Sequence, residues 1–158
     1  MPKLFLDCDG VLADFDGYAT GLLGLPPREF EARHGRKEFW RRIAGHPDYF
    51  FRLPLIPDAR ELWEAVAHLH PVILTGVPIG NWAAPQKTRW AAEHLPGARM
   101  ITTMARAKRD HMEAPGDILV DDRLTYRPLW EEAGGVFVHH RSARESLEAL
   151  RALGLDVR

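Results

Sequence analysis

The sequence predicts an α/β fold: a Rossmann-like parallel sheet of about five strands sandwiched by helices, with a small helical cap inserted after the first strand. Three observations predict it. Short apolar runs recur at Lys3-Leu4-Phe5-Leu6, Val72-Ile73-Leu74, Met100-Ile101, Ile118-Leu119-Val120 and Val136-Phe137-Val138. They are short and continuous, as strands buried on both faces are. Helical patterns lie between most of them, which implies parallel strands joined by crossovers. The stretch from Ala13 to Pro57 breaks this alternation, with helical patterns and no convincing strand. The expected division is therefore a core of residues 1–12 and 58–158 and a helical cap of residues 13–57.

Each element has its own signal in the chain. Lys3 to Leu6 is a strand that ends in acid and glycine, Asp7-Cys8-Asp9-Gly10. Pro26-Pro27 and Gly45-His46-Pro47 divide the insertion into about three helical pieces. Asp58 is placed to cap a helix with Leu62, Val66 and Leu69 on one face and Pro71 beyond it. Asn81 is placed to cap a helix from Trp82 to Leu95, with Pro85 tolerated near its start. A helix from Arg127 to Ala133 stops at Gly134-Gly135. Ser142-Ala143-Arg144-Glu145 is a capping box that opens a helix carrying Leu147, Leu150 and Leu153 and ending at Gly154.

Composition narrows the function. The chain has 158 residues, 46% of them hydrophobic and 27% charged, with a formal net charge of -1. That is the size of one domain with a small insertion. The charge gives no pull toward polynucleotides or anionic membranes, and neither partner is expected. Cys8 is the single cysteine, so no internal disulfide forms, and we read it as a small core residue facing away from the acids on either side. No apolar run reaches membrane-spanning length, and the first residues are too short a run for a signal peptide. A cytoplasmic setting is the expectation.

Right-handed crossovers place all strand C-termini on one edge, where ligands of open sheets bind. The residues just beyond each strand are therefore informative. Asp7 and Asp9, two apart on an extended chain, point the same way, and Gly10 permits a tight turn and close approach of backbone to ligand. Thr75-Gly76 offers a hydroxyl and free backbone N–H groups to a phosphate oxygen. The basic loop Arg106-Ala107-Lys108-Arg109 carries a lysine able to neutralise phosphate. Asp121-Asp122 places two adjacent acids where they repel each other unless a cation is near, and they are suitable oxygen ligands for a hard metal. Each feature taken singly is also compatible with a solvated turn or a helix cap.

Together the motifs Asp7-Cys8-Asp9-Gly10-Val11-Leu12, Thr75, Lys108 and Asp121-Asp122 resemble, in identity and order, the haloacid dehalogenase-like superfamily of phosphohydrolases. Within it, Asp9-Gly10-Val11-Leu12-Ala13-Asp14-Phe15, Tyr49-Phe50-Phe51-Arg52-Leu53-Pro54, Lys87-Thr88-Arg89-Trp90 and Ile118 to Arg123 are similar to the 5'(3')-deoxyribonucleotidase family. One departure stands out: that family commonly has Thr-Ser-Pro where this chain has Thr75-Gly76-Val77-Pro78.

The resemblance implies a phosphatase in which Asp7 attacks phosphorus to form an aspartyl-phosphate. Asp9 would protonate the leaving alcohol and then deprotonate the attacking water. Mg²⁺ would be held by Asp7, the Asp9 carbonyl and Asp122, supported by Asp121. Thr75 and Lys108 would hold phosphate oxygens, and the substrate-binding set adds Gly10, Gly76 and Arg106. Lys108 is chosen over Lys87, which the pattern places within a helix in a solvated or salt-bridging role. The cap aromatics, Phe15, Trp40 and Phe50 among them, are candidates to stack on a nucleobase or to form the small core beneath the cap. His139-His140 is expected in a surface loop. The expected substrate is a (deoxy)nucleoside monophosphate; a sugar phosphate, or phosphoryl binding without turnover, are the alternatives. A homodimer is compatible with the sequence.

Overall fold

The computed structural model describes all 158 residues. The five apolar runs become β1 (Leu4–Leu6), β2 (Val72–Gly76), β3 (Arg99–Thr103), β4 (Ile118–Asp121) and β5 (Val136–His139). All pair in parallel, in the order β3-β2-β1-β4-β5. The chain thus winds outward from β1 through β2 to β3 and returns to β4 on the other side of β1. The reversal of direction lies between β1 and β4, and ligand crevices of open α/β sheets lie at such a point.

Helices α1 (Phe15–Leu23), α2 (Pro27–His34) and α3 (Arg36–Gly45) come from the segment after β1, with α4 (Ala59–Val66) next. Then come α5 (Ala83–His94), α6 (Arg127–Glu132) and α7 (Ala143–Ala152). Short 3-10 helices occupy Ala67–Leu69 and Ala105–His111. The expected break at Pro26-Pro27 starts α2, and a further break falls at Gly35, whose φ of +86° suits glycine. Ser142 caps α7 as its sequence predicts, its hydroxyl accepting from Glu145 N at 3.2 Å. Asp58 and Asn81 do not act as expected. The Asp58 carboxylate accepts from Ala143 N at 2.7 Å, tying the start of α4 to the start of α7. Helix α5 begins after Trp82 and has no side-chain cap.

Alternate strand residues feed two cores, as the pleat requires. Leu4, Leu6, Ile73, Ile118, Val120 and Val138 face the larger one, with Leu62 of α4, Trp90 of α5 and Leu147 of α7. Phe5, Val72, Leu74, Leu119 and Phe137 face the smaller one, closed by Trp130 of α6. The Trp130 ring meets Phe5 edge-on, with centroids 5.6 Å apart. Burying each such side chain contributes about 1.5–3 kcal/mol, so both faces stabilise the sheet that carries the site. No helix is long and apolar enough to cross a membrane.

Candidate active site

Register brings the acids together. Leu6 pairs with Val120, and Asp7 N continues the ladder by donating to Val120 O at 2.9 Å. Asp7 therefore emerges beside Asp121. The chain then folds over the Cys8 carbonyl, which accepts from Leu12 N at 2.8 Å and Ala13 N at 2.9 Å. Gly10 makes this turn with φ of +83°, and a Cβ there would fall 2.0 Å from Asp122 Oδ2. Only glycine lets the loop lie against that carboxylate. Cys8 is buried, as expected, and burial together with the charge of Asp9 pushes its thiol well above the ordinary range.

Lys108 projects inward from the 3-10 helix and bridges the two strand ends. Its Nζ donates to Asp7 Oδ1 at 2.9 Å and Asp121 Oδ2 at 3.0 Å. Burial works to raise the Asp7 carboxyl, but the Lys108 charge and hydrogen bond, with the charge of Lys87, hold it below its ordinary value. The lysine itself is raised: burial opposes its charge, and Asp7 and Asp121 outweigh that.

Asp7, Asp121 and Asp122 each bring an oxygen within 4.8 Å of the others. Their mutual repulsion is visible. Burial and the charge of Asp7 push Asp121 up to about 6. Burial, Asp7 and Asp121 push Asp122 up to about 8. Both Asp121 oxygens have partners, Lys108 and Arg123 N. Asp122 Oδ1 is buried with none. An all-oxygen cluster with an orphaned carboxylate oxygen and one acid too many for its lysine fits a hard divalent cation.

A second lysine completes the site: of the two roles expected for Lys87, solvated or salt-bridging, the structure shows the second, an ion pair with Asp9, and corrects the first. Lys87 is 2% exposed. Its Nζ donates to Asp9 Oδ2 at 2.7 Å, Thr75 Oγ1 at 2.7 Å and Gly76 O at 3.1 Å. The sequence signal was available: Ala83, Lys87, Trp90 and Ala91 are the buried residues of α5, and their spacing is that of one helix face. Lys87 occupies a position on the apolar stripe. Thr75 is fully buried at the end of β2. Accepting from Lys87 leaves its own O–H free to donate. A Cβ at Gly76 would sit 3.0 Å from Ala105 Cβ, so the close approach of the 3-10 helix accounts for the missing serine.

The remaining candidates lie around this cluster. Arg106 is exposed, two residues before Lys108, and makes no ion pair. Phe15 and Phe50 are buried at 7% and 2% exposure. The rings of Phe39, Trp40, Tyr49 and Phe50 surround Phe15. Phe50 packs against Tyr49 and Trp82, with Lys87 Nζ 4.6 Å from its centroid. These two rings are core, not free stacking platforms, because an insertion this small needs them to close its own interior. Trp40 and Trp82 stay partly exposed. His139 donates from Nε2 to Asp122 O at 3.1 Å, and His140 is buried and hydrogen-bonded to Ser146 at 2.7 Å. The surface loop expected there is absent because α7 packs over the end of β5.

Comparison with known proteins places this geometry. The family described as "5' nucleotidase, deoxy (Pyrimidine), cytosolic type C protein" matches residues 27–129, a segment that holds Thr75, Lys87, Lys108, Asp121 and Asp122. The human cytosolic-type 5'(3')-deoxyribonucleotidase is 28% identical over 166 residues, covering 88% of this chain and 82% of its own. The mouse mitochondrial 5'(3')-deoxyribonucleotidase is 28% identical over 159 residues, covering 82% and 70%. A crystal structure of a hydrolase from Pseudomonas syringae superposes with a TM-score of 0.54 at 13% identity, over 96% of this chain and 99% of that one, a likeness of fold. With nearly two thirds of its length matched, the chain belongs to the deoxy, cytosolic type C family of 5' nucleotidases, phosphohydrolases of the haloacid dehalogenase-like superfamily.

Proposed function

We propose that the protein is a Mg²⁺-dependent phosphomonoester hydrolase that dephosphorylates (deoxy)nucleoside monophosphates through an aspartyl-phosphate on Asp7. The observation that carries the reading is the Lys108 bridge between Asp7 and Asp121, set beside an orphaned Asp122 oxygen on the rim where Thr75 and Asp9 converge. The names of the human and mouse relatives support the substrate class.

Each residue has a task. Lys108 keeps Asp7 ionised, the form a nucleophile needs. Thr75 donates its O–H to a phosphate oxygen, and the backbone N–H of Asp9 does the same, that of Gly10 being taken by Ala13 O. Asp9, raised by burial against the pull of Lys87, is suited to carry a proton to the leaving alcohol. Asp7, Asp122 and the Asp9 carbonyl, with Asp121 in support, would hold Mg²⁺, which when bound offsets the clustered negative charge and that of the incoming phosphate. Residues 13–57 form the cap over the core of residues 1–12 and 58–158, and the partly exposed Trp40 and Trp82 are the rings open to a base.

The test is phosphate release from a panel of nucleoside and deoxynucleoside monophosphates and sugar phosphates, with and without Mg²⁺. Mg²⁺-dependent release from nucleotides, absent in Asp7→Asn, is expected. Turnover of sugar phosphates alone would displace the substrate assignment, and equal release by Asp7→Asn would displace the mechanism.

A further inference from the structure

Asp9 has two oxygens in different circumstances. Oδ2 accepts from Lys87 at 2.7 Å, while Oδ1 is buried with no partner. Lys87 is held from three sides. An ammonium has three N–H donors, and all three are used, on Asp9, Thr75 and Gly76. These acceptors belong to the loop after β1 and the end of β2, so the ammonium is fixed to both. The Phe50 ring covers it at 4.6 Å.

We infer that Lys87 is a positioning residue: by engaging Oδ2 it fixes the rotation of the Asp9 carboxyl group and makes Oδ1 the oxygen that exchanges a proton with the leaving group. The inference rests on the reading of Asp9 as the acid. A carboxyl proton on Oδ2 would point at an N–H that already donates there, so the proton sits on Oδ1. In the first step an Asp7 oxygen bonds to phosphorus as the bond from phosphorus to the leaving oxygen breaks. The electron pair of that bond stays on the leaving oxygen, which takes the Oδ1 proton. In the second step a water oxygen bonds to phosphorus, its proton passes to Oδ1, and the electron pair of the broken bond returns to Asp7. Lys87 keeps Oδ2 throughout, so Asp9 alternates between its two states without turning.

The test uses leaving groups that differ in their need for a proton. A nucleoside monophosphate or another alkyl phosphate releases a poor leaving group, whereas p-nitrophenyl phosphate releases one that leaves unaided. Lys87→Met is expected to lower kcat about 100-fold on the alkyl ester and less than about 10-fold on the aryl ester, within the range of a lost general acid. An equal loss on both esters would mean that Lys87 serves only the structure. Because Lys87→Met strands a buried carboxylate, the Asp9→Asn/Lys87→Met double variant removes both charges together. On the alkyl ester it should be no slower than Asp9→Asn by more than about 3-fold, since Lys87 acts through Asp9. A full additional loss would overturn the inference. If the wild type turns over both esters and these patterns fail, the positioning role falls and the hydrolase reading stands; if it turns over neither, both fall.

Discussion

Gly10 concentrates two constraints in one residue. Its φ of +83° is one that side chains rarely adopt, and a Cβ would overlap the Asp122 carboxylate. Gly10→Ala should lower stability by about 1–2 kcal/mol from the backbone alone. It should also displace Asp122: Mg²⁺ is expected to raise the urea midpoint of the wild type and to leave that of Gly10→Ala unchanged. An unchanged Mg²⁺ effect would mean that Asp122 is not a ligand. At this scale the gathering of the acids was legible in the sequence, because Asp7 and Asp121-Asp122 each follow an apolar strand run and parallel strands end on one edge. Lys87 was not, because a lysine inside a helix is ordinarily solvated, and only its place on the apolar stripe of α5 betrays its burial. Phe15 and Phe50 stayed ambiguous because an aromatic ring serves a core or a ligand equally well.

Helix α5 is the element that joins the insertion to the site. Gln86 Oε1 accepts from Phe50 N at 2.9 Å, Lys87 reaches Asp9, and Trp90 Nε1 donates to Leu53 O at 2.7 Å. One helix thus holds residues 50–53 against the strand ends. Trp90→Phe retains most of the packing and leaves Leu53 O unsatisfied, which should cost about 1–3 kcal/mol in urea unfolding. Because Lys87 stays in place, kcat should change little; a large loss of kcat would show that α5 positions the site more tightly than its hydrogen bonds indicate. All five strands were legible at this scale, since each is a continuous apolar run. The helix starts were less so. Asp58 and Asn81 have the right chemistry for caps, but whether a carboxylate turns to its own helix or, as Asp58 does, to α7 is decided by tertiary packing.

In the whole molecule, the clustered acids couple stability to pH. Asp122 titrates at about 8 in the fold against an ordinary value of 3.8, so the folded protein binds the extra proton. Stability from this group is complete below the unfolded value and is lost as pH rises through the folded one. Without metal, the melting temperature should fall by several degrees between about pH 5 and about pH 9, and Asp122→Asn should flatten that slope. Mg²⁺, by binding the ionised fold, should restore the loss. A metal-free protein that grows more stable over this range would contradict the arrangement. The burial of His140 under α7 was illegible for a related reason: it depends on which helix returns to which strand. Strand order has one more consequence, for synthesis. Leu4 pairs with Ile118, so the first strand made waits for a partner more than a hundred residues downstream. A ribosome emitting this chain at about 5–20 residues per second exposes the strand that leads into Asp7 early and supplies its β4 neighbour last among the strands that carry the site. Until β4 emerges, β1 has an unpaired edge and Asp7 lacks Asp121 and Asp122. The nascent chain therefore cannot assemble its acid cluster before most of its length has been translated.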